Sequence, residues 1–180
     1  FHRPHSWKQA VGTVLVLGGA RSGKSRYAES LASGERLYLA TSEQMDTEML
    51  ARVAAHRLQR GDGWHTLEVP LELTEALRQH DAAGRFMLVD CLTVWIGNLM
   101  HHGRDAAAAV QGLAAFLPEV RGRLVLVSNE VGQGIVPDNA MAREFRDLQG
   151  RCNQLMAAAC GEVVLVVAGL PVTIKSAARP

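Results

Sequence analysis

An apolar run early in the chain leads directly into a glycine-rich stretch and then into a helical pattern. The run is Thr13–Leu17, and the helical pattern Lys24–Ala32 follows the stretch. The stretch matches G-x-x-x-x-G-K-[ST] in full and reads Gly18, Gly19, Ala20, Arg21, Ser22, Gly23, Lys24 and Ser25. Glycines let backbone N–H groups curl around phosphate oxygens, and a helix N-terminus adds partial positive charge. The sequence therefore predicts a strand, a phosphate-binding loop and a helix at the start of an α/β domain.

Two side chains of this stretch, and one acid further along the chain, have the chemistry of a nucleotide site that uses Mg²⁺ as cofactor. Lys24 is the expected cation for the β- and γ-phosphates, and the Ser25 hydroxyl is the expected Mg²⁺ ligand. Asp90 closes a later apolar run and is the predicted acid for direct or water-mediated contact with Mg²⁺. Glu130, which follows the next run, is the alternative acid. Either acid is also compatible with a helix cap or a surface ion pair.

Four further apolar runs alternate with helical patterns. The runs are Arg36–Thr41, Phe86–Asp90, Leu124–Ser128 and Val163–Ala168. Continuous apolar character is typical of strands covered on both faces, and strands alternating with helices favour a parallel sheet. The helical patterns are Ser42–Arg60, Leu71–Gln79, Leu92–Met100, Ala106–Leu117 and Asn139–Cys160, the last with Asp138 as its N-cap. We predict an α/β, P-loop NTPase-like fold with a mostly parallel central sheet flanked by helices. Residues 1–11 are expected to form a flexible tail, and residues 12–180 one domain.

Composition argues against several classes of protein. The 180 residues include 19 Lys and Arg against 18 Asp and Glu, so the net charge of +1 gives no reason to expect nucleic acid as a partner. No apolar stretch approaches the roughly 20 residues that span a bilayer. Cys91, Cys152 and Cys160 form no metal-binding spacing, so we expect reduced thiols in a cytoplasmic protein.

One histidine lies among arginines in the second helical pattern. Arg52, His56 and Arg60 are spaced four apart and therefore project from one stripe of a helix. A neutral imidazole can attack an α-phosphorus while guanidinium groups stabilise the developing negative charge. From spacing alone, an exposed helix with an incidental histidine is the more economical interpretation.

Several segments beyond the glycine-rich stretch occur in a recognisable order. They are Tyr38–Thr41, Asp46–Met49, Arg52–His56, Trp64–Glu68, Asp90–Thr93, Asn129–Pro137, Phe145–Arg151 and Asn153–Gln154. Together they resemble the bifunctional adenosylcobinamide kinase/adenosylcobinamide-phosphate guanylyltransferases of cobalamin biosynthesis. The resemblance covers the chain from about Gly12 to Lys175, and its most specific parts are G-G-A-R-S-G-K-S and N-E-V-G-Q-G-I-V-P.

The resemblance implies two reactions on small-molecule substrates. The γ-phosphate of ATP or GTP is transferred to the aminopropanol hydroxyl of adenosylcobinamide. GTP then guanylylates a histidine, and GMP passes to adenosylcobinamide phosphate, which gives adenosylcobinamide-GDP. The resemblance identifies His56 as that histidine and implies a homotrimer. By the same resemblance, GTP contacts come from Gly18–Ser25, Ala40, Thr41, Ser42, Arg57, Leu58, Gln59, Arg60, Glu68 and Asp90.

Two rival interpretations are a P-loop kinase for another small alcohol, without a covalent stage, and a nucleotide-binding regulatory module. The sequence has no N-K-x-D guanine-reading motif, which counts against a switch GTPase. The N-E-V-G-Q-G-I-V-P loop follows a strand end, so Glu130 and its glycines are predicted to help build the corrinoid or nucleotide site. A role in packing or subunit contact is the alternative for this loop.

Overall fold

The structure, a computed structural model, describes residues 10–43 and 63–176. Within those residues the chain forms seven strands, five helices and one short 3-10 turn. In chain order they are β1 (Ala10–Gly18), α1 (Lys24–Ser30), β2 (Glu35–Ala40), β3 (Trp64–Glu68), α2 (Leu73–His80), β4 (Arg85–Asp90), α3 (Leu92–His101), α4 (Ala106–Phe116), the 3-10 turn (Leu117–Glu119), β5 (Arg123–Asn129), α5 (Ala140–Ala159), β6 (Cys160–Val167) and β7 (Leu170–Lys175).

The seven strands form one sheet in the order β3-β2-β4-β5-β1-β6-β7. Neighbouring strands are parallel except β6 and β7, which are antiparallel. Each of the five predicted apolar runs coincides with one strand, which confirms the mostly parallel sheet flanked by helices. Because parallel strands place their carboxyl ends on one edge, the ends of β1, β4 and β5 share the edge where ligands bind in open α/β sheets.

Apolar side chains cover both faces of the sheet, since successive residues of a strand point to opposite faces. Leu15 of β1 belongs to a buried cluster that packs against helices α2 to α5. Its neighbours Val14 and Val16 belong to a second cluster that packs against α1. All three side chains are fully buried. The loop that follows β1 therefore starts from a fixed point in the middle of the sheet.

Two strands, β3 and β7, have no counterpart among the predicted apolar runs. They lie at the two edges of the sheet, where much of each strand faces solvent. Edge strands need no continuous apolar run, and Pro171 within β7 is tolerated because an edge strand has one side without hydrogen-bond partners. A pattern that detects buried strands does not detect strands of this kind.

Some predicted boundaries differ from the structure. The Asn139 side chain accepts a hydrogen bond from the N–H of Ala142 at 2.8 Å, so Asn139 is the N-cap of α5 and the prediction of Asp138 is wrong. β1 begins at Ala10, so residues 10 and 11 belong to the sheet, while residues 1–9 lie outside the described residues. The predicted helix Ser42–Arg60 falls almost entirely on residues 44–62, which the structure does not describe. Among the residues it does describe, no helix is long and apolar enough to cross a membrane.

Candidate active site

The glycine-rich stretch forms the loop between β1 and α1, as predicted. Gly18 ends β1, and a Cβ atom added there would lie 2.4 Å from Ser22 Oγ and 2.8 Å from the carbonyl oxygen of Val166. Gly23 precedes α1 with a φ of 92°, a left-handed conformation that glycine adopts without strain. Gly18 is therefore required because neighbouring atoms leave no room for a Cβ atom, and Gly23 is required because the turn before α1 needs a left-handed backbone.

A cavity of about 790 Å³ opens over this loop. Its lining residues are Arg21, Ser22, Gly23, Lys24, Ser25, Arg26, Glu29 and Gly169. Three cationic side chains against one acid give the cavity an excess of positive charge. A cluster of cations at the start of a helix suits an anionic group such as a polyphosphate.

The Lys24 side chain is held against the loop between β1 and α1. The residue is 8% exposed, and its Nζ donates a hydrogen bond to the carbonyl oxygen of Gly19 at 3.1 Å. Burial of the lysine stem fixes the ammonium group over the loop, where a bound phosphate would meet it. This geometry fits the predicted role of Lys24 as the phosphate-binding cation.

Asp90 ends β4, and a buried tyrosine fixes its orientation. The Tyr38 hydroxyl donates a hydrogen bond to Asp90 Oδ2 at 3.0 Å. Burial and the Asp90 charge raise the pKa of the neighbouring Cys91 thiol to about 11, and the Lys24 charge partly opposes that rise. Asp90 and Lys24 thus both lie within electrostatic reach of one thiol, so the end of β4 and the loop after β1 converge on the same part of the edge.

The two strands beside β1 are β5 and β6, and β5 separates β1 from β4. Asp90 at the end of β4 therefore lies one strand further from the loop than an acid at the end of β5 would. The alternative acid, Glu130, follows β5 directly, and its N–H donates to the carbonyl oxygen of Gly18 at 3.1 Å. The Glu130 carboxylate accepts a hydrogen bond from the N–H of Gly132 at 2.8 Å. Each acid therefore has a partner inside the protein, and the choice of Asp90 over Glu130 as the metal acid stays a prediction.

Three predicted GTP contacts lie at the end of β2, and they differ in how accessible they are. Ala40 and Thr41 are buried, and the Thr41 hydroxyl donates to the Cys91 carbonyl oxygen and accepts from the Cys91 N–H, both at 2.8 Å. The Thr41 side chain is thus committed to joining the ends of β2 and β4. Ser42 is half-buried and leaves the sheet at this edge. Glu68 ends the edge strand β3, opposite Ala40 in register.

The remaining predicted site residues lie outside the described part of the chain. They are His56, Arg57, Leu58, Gln59 and Arg60, together with the neighbouring Arg52. Their predicted roles stay predictions.

Gly169, in the turn between β6 and β7, contacts the loop after β1 and was not among the predicted site residues. Its N–H donates to the carbonyl oxygen of Ser22 at 2.8 Å, and it lines the cavity. A Cβ atom on Gly23 would lie 3.2 Å from the Cα of Gly169. Ala168 and Gly169 both have positive φ, at 51° and 82°. The sequence signal at this place was the glycine of the dipeptide Ala168-Gly169. Glycine favours a turn, but it does not indicate which part of the chain the turn contacts.

A buried polar network fixes the end of β5 next to Gly18. Asn153 of α5 donates to the carbonyl oxygen of Asn129 at 3.0 Å, and its amide oxygen accepts from the Ser128 hydroxyl at 2.6 Å. Gln149 donates to Ser128 Oγ at 2.8 Å. These bonds help hold the start of the Glu130 loop in place, although Gln149 Oε1 has no hydrogen-bond partner in the described part of the chain.

Comparison with known proteins identifies the family. A family model described as "Cobinamide kinase / cobinamide phosphate guanyltransferase" matches residues 14–174. The bifunctional adenosylcobalamin biosynthesis protein CobP of Pseudomonas aeruginosa is 45% identical over 166 residues, which is 89% of this chain and 96% of that protein. The bifunctional adenosylcobalamin biosynthesis protein CobU of Escherichia coli is 42% identical over 179 residues, covering 90% of this chain and 99% of that protein.

Two solved structures have the same fold at low sequence identity. A Pyrococcus horikoshii protein superposes with a TM-score of 0.54 at 13% identity, over 93% of this chain and 88% of that one. An ATPase of a bacterial type III secretion system gives a TM-score of 0.54 at 12% identity, over 90% of this chain and 56% of that one. The ATPase is consistent with the predicted P-loop NTPase-like fold. With the family match, the glycine-rich loop and the parallel sheet, these findings confirm the resemblance drawn from the motifs, and the chain belongs to the cobinamide kinase / cobinamide phosphate guanyltransferase family.

Proposed function

We propose that a single triphosphate pocket, the loop between β1 and α1, serves two successive reactions of cobinamide. The first is phosphorylation of adenosylcobinamide, and the second is transfer of GMP to adenosylcobinamide phosphate. The observation that carries the proposal is the cationic cavity around Lys24, in a chain that matches the cobinamide kinase / cobinamide phosphate guanyltransferase family model over residues 14–174.

In the kinase reaction, the aminopropanol hydroxyl oxygen of adenosylcobinamide attacks the γ-phosphorus of ATP or GTP. The bond from the γ-phosphorus to the bridging oxygen breaks, the nucleoside diphosphate leaves, and the hydroxyl proton is released. Backbone N–H groups of the loop and the Lys24 ammonium hold the phosphates and stabilise the charge that develops on them. The fixed position of Lys24 beside Gly19 supports this role.

The guanylyl transfer uses GTP in the same pocket but attacks a different phosphorus. The neutral imidazole of His56 attacks the α-phosphorus, a P–N bond forms and pyrophosphate leaves, held by Lys24 and the loop. A phosphate oxygen of adenosylcobinamide phosphate then attacks the same phosphorus and breaks the P–N bond, which gives adenosylcobinamide-GDP and regenerates the imidazole. Ala40–Ser42, Arg57–Arg60 and Glu68 are proposed as GTP contacts in this step.

Mg²⁺ fits the oxygen donors that the structure brings to this edge. The hydroxyl of Ser25 and the carboxylate of Asp90 are the hard oxygen ligands that Mg²⁺ prefers, and the Tyr38 hydrogen bond already orients the Asp90 carboxylate. Among the described residues there is no cluster of three His, Cys, Asp or Glu side chains. A metal bound by one or two protein ligands plus substrate phosphates suits such a site. When bound, Mg²⁺ would neutralise charge on the phosphate oxygens.

Two further properties are proposed with this function. The chain acts as a homotrimer, and the exposed apolar side chains of β7 support a contact between copies. It works in the cytoplasm, which is supported by the three cysteines, all of them free thiols.

The test is product analysis with the purified chain. Adenosylcobinamide with ATP or GTP and Mg²⁺ should give adenosylcobinamide phosphate, and added GTP should convert it to adenosylcobinamide-GDP, both identified by mass spectrometry. Lys24→Ala should lose both conversions, because both need the triphosphate held. Arg78→Ala, which removes an exposed cation paired with Glu119, is the control and should keep both. Full activity of Lys24→Ala in either step would contradict a shared pocket.

A further inference from the structure

The large apolar side chains that are exposed in the described part of the chain fall into two patches. The first, called here the loop patch, consists of Ile135, Val136 and Met141. The second, called here the hairpin patch, consists of Val167, Leu170, Val172 and Ile174. Exposed apolar patches in otherwise well-packed domains mark surfaces that bind something.

The two segments that carry the patches are each joined to the phosphate-binding loop by a backbone hydrogen bond, one on each side of it. β1 lies between β5 and β6, and the loop patch follows β5 whereas the hairpin patch follows β6. The N–H of Glu130 bonds to Gly18, and the N–H of Gly169 bonds to Ser22, at the two ends of the phosphate-binding loop. An acceptor substrate must reach a phosphate held in that loop, so these two patches are the apolar surfaces placed to receive it.

One residue of the loop patch, Met141, lines a polar groove, and the two patches differ in this respect. Met141, which is 72% exposed, lies at a groove of about 740 Å³ between the start of α4 and the first turns of α5. The groove contains apolar surface from Met100 and Leu148, and it is lined by the acids Asp105, Glu144 and Asp147 and the cations Arg104 and Arg151. Three of these charged side chains already have partners: Arg104 pairs with Glu72, Asp147 pairs with Arg146, and Asp105 caps α4. The side chains of Glu144 and Arg151 make no hydrogen bond or ion pair with any residue that the structure describes.

The hairpin patch has a different character. Leu170, Val172 and Ile174 alternate along one face of the edge strand β7, with Thr173 between the last two. A regular apolar face on an edge strand is suited to packing against another protein surface, and it offers few charged groups to a polar ligand.

We propose that the loop patch and its groove dock the corrin ring of cobinamide, which deepens the proposed function and rests on it. A corrin has two apolar faces, a rim of primary amides and a positive charge at cobalt. Ile135, Val136 and Met141 match the apolar faces. Carboxylates accept hydrogen bonds from amide N–H groups, guanidinium groups donate to amide oxygens, and the three acids outnumber the two arginines, which complements a cation.

The geometry of the loop supports this assignment. Ile135 is 98% exposed, so its side chain contributes almost nothing to the core of the protein. Arg143 of α5 donates to the carbonyl oxygen of Pro137 at 2.9 Å, which ties the loop back to the helix that lines the groove. The segment between β5 and α5, which carries Ile135 and Val136, is therefore anchored at its start by the bond to Gly18 and near its end by Arg143.

The test measures binding of cobinamide to the full chain by its absorbance change, and the KM for cobinamide in the kinase reaction. The double variant Ile135→Ser/Met141→Ser removes apolar surface from the loop patch, and Glu144→Gln removes one charge from the groove. The control is Arg78→Ala, an exposed position at the end of α2 that belongs to neither patch. The hairpin patch is not used as a control because its β7 side chains are proposed to join copies of the chain. Thermal unfolding checks that all variants are folded.

We expect the loop-patch variant to raise the Kd and the KM for cobinamide by about tenfold or more. Arg78→Ala should leave both values within about twofold of the wild type. Unchanged cobinamide binding in the loop-patch variant, or an equal rise in Arg78→Ala, would overturn the docking assignment. Turnover of cobinamide by the wild type would in that case still support the proposed function. A wild-type chain that neither binds nor phosphorylates cobinamide would overturn both.

Discussion

Substitution of Gly169 tests whether the turn between β6 and β7 contributes to nucleotide binding in the cavity that it lines. The chain offers a matched control in Gly84, which precedes β4. Both glycines have a φ of 82°, and at both positions no described atom lies within 4 Å of an added Cβ. Gly169→Ala and Gly84→Ala therefore introduce the same backbone strain without a steric clash, and only the first lies in the cavity.

The expected effects separate stability from binding. A left-handed φ costs an alanine about 1–2 kcal/mol, so both variants should lose a similar free energy of unfolding and melt roughly 2–8 °C below the wild type. Gly169 also donates the 2.8 Å hydrogen bond to Ser22, and a hydrogen bond of this kind contributes about 0.5–1.5 kcal/mol. If relaxation of the strained turn breaks that bond, the nucleotide must order the loop itself, which weakens binding about two- to twelvefold.

The assay is titration calorimetry with GTP and Mg²⁺, beside thermal unfolding of the same samples. Gly169→Ala should show the weaker binding, and Gly84→Ala should bind as the wild type does despite its lower melting temperature. Equal nucleotide affinity for both variants would refute the reasoning, because strain in the turn between β6 and β7 would then have no effect on nucleotide binding.

Three further predictions concern single side chains. Gly18→Ala should lower the free energy of unfolding by about 1–3 kcal/mol, because its Cβ would overlap neighbouring atoms. Gly112→Ala, at an exposed position of helix α4, should instead raise it by about 0.5–1 kcal/mol, and chemical denaturation measures both. Tyr38→Phe removes the hydrogen bond to Asp90 and should raise the Mg²⁺ concentration needed for half-maximal kinase activity, while nucleotide binding without metal is unchanged. An unchanged Mg²⁺ requirement would contradict a role for the Tyr38 hydrogen bond in orienting Asp90 toward the metal. Burial raises the pKa of the Cys91 thiol from 9.0 to about 11, so its stabilising contribution is present below pH 9 and falls as the pH rises through 11. The native protein should accordingly react slowly with iodoacetamide at pH 8, and rapid labelling of Cys91 would show the burial to be wrong.

The parts of the fold that were predictable are those determined locally. The β1 strand, the glycine-rich loop and α1 follow from a contiguous motif in which each residue type has a backbone reason. The buried parallel strands follow from continuous apolar runs, because both of their faces are covered. β7 escaped prediction since an edge strand that faces solvent carries no such run and even contains Pro171.

The parts of the site that were not predictable depend on which segments meet in space. The sequence offered Asp90 and Glu130 as acids at the ends of two apolar runs, but it did not give the distance of either run from the phosphate-binding loop. The sheet places β5 between β4 and β1, so Glu130 is the acid that follows the neighbouring strand. Gly169 is far from the loop in sequence, and only the pairing of β6 with β1 brings its turn against Ser22. Strand order and long-range turn contacts have no local sequence signature, whereas capping errors such as Asp138 for Asn139 are local choices between two suitable residues.

Intact-mass analysis after incubation with GTP and Mg²⁺ addresses most directly whether the phosphate-binding loop presents its nucleotide to a histidine. The wild type should gain the mass of one GMP per chain, the adduct should be labile to acid, and added adenosylcobinamide phosphate should remove it. His56→Ala should gain no mass, and Lys24→Ala should gain little. A GMP adduct that persists in His56→Ala, or a wild type that turns over both substrates and never carries GMP, would contradict the covalent mechanism.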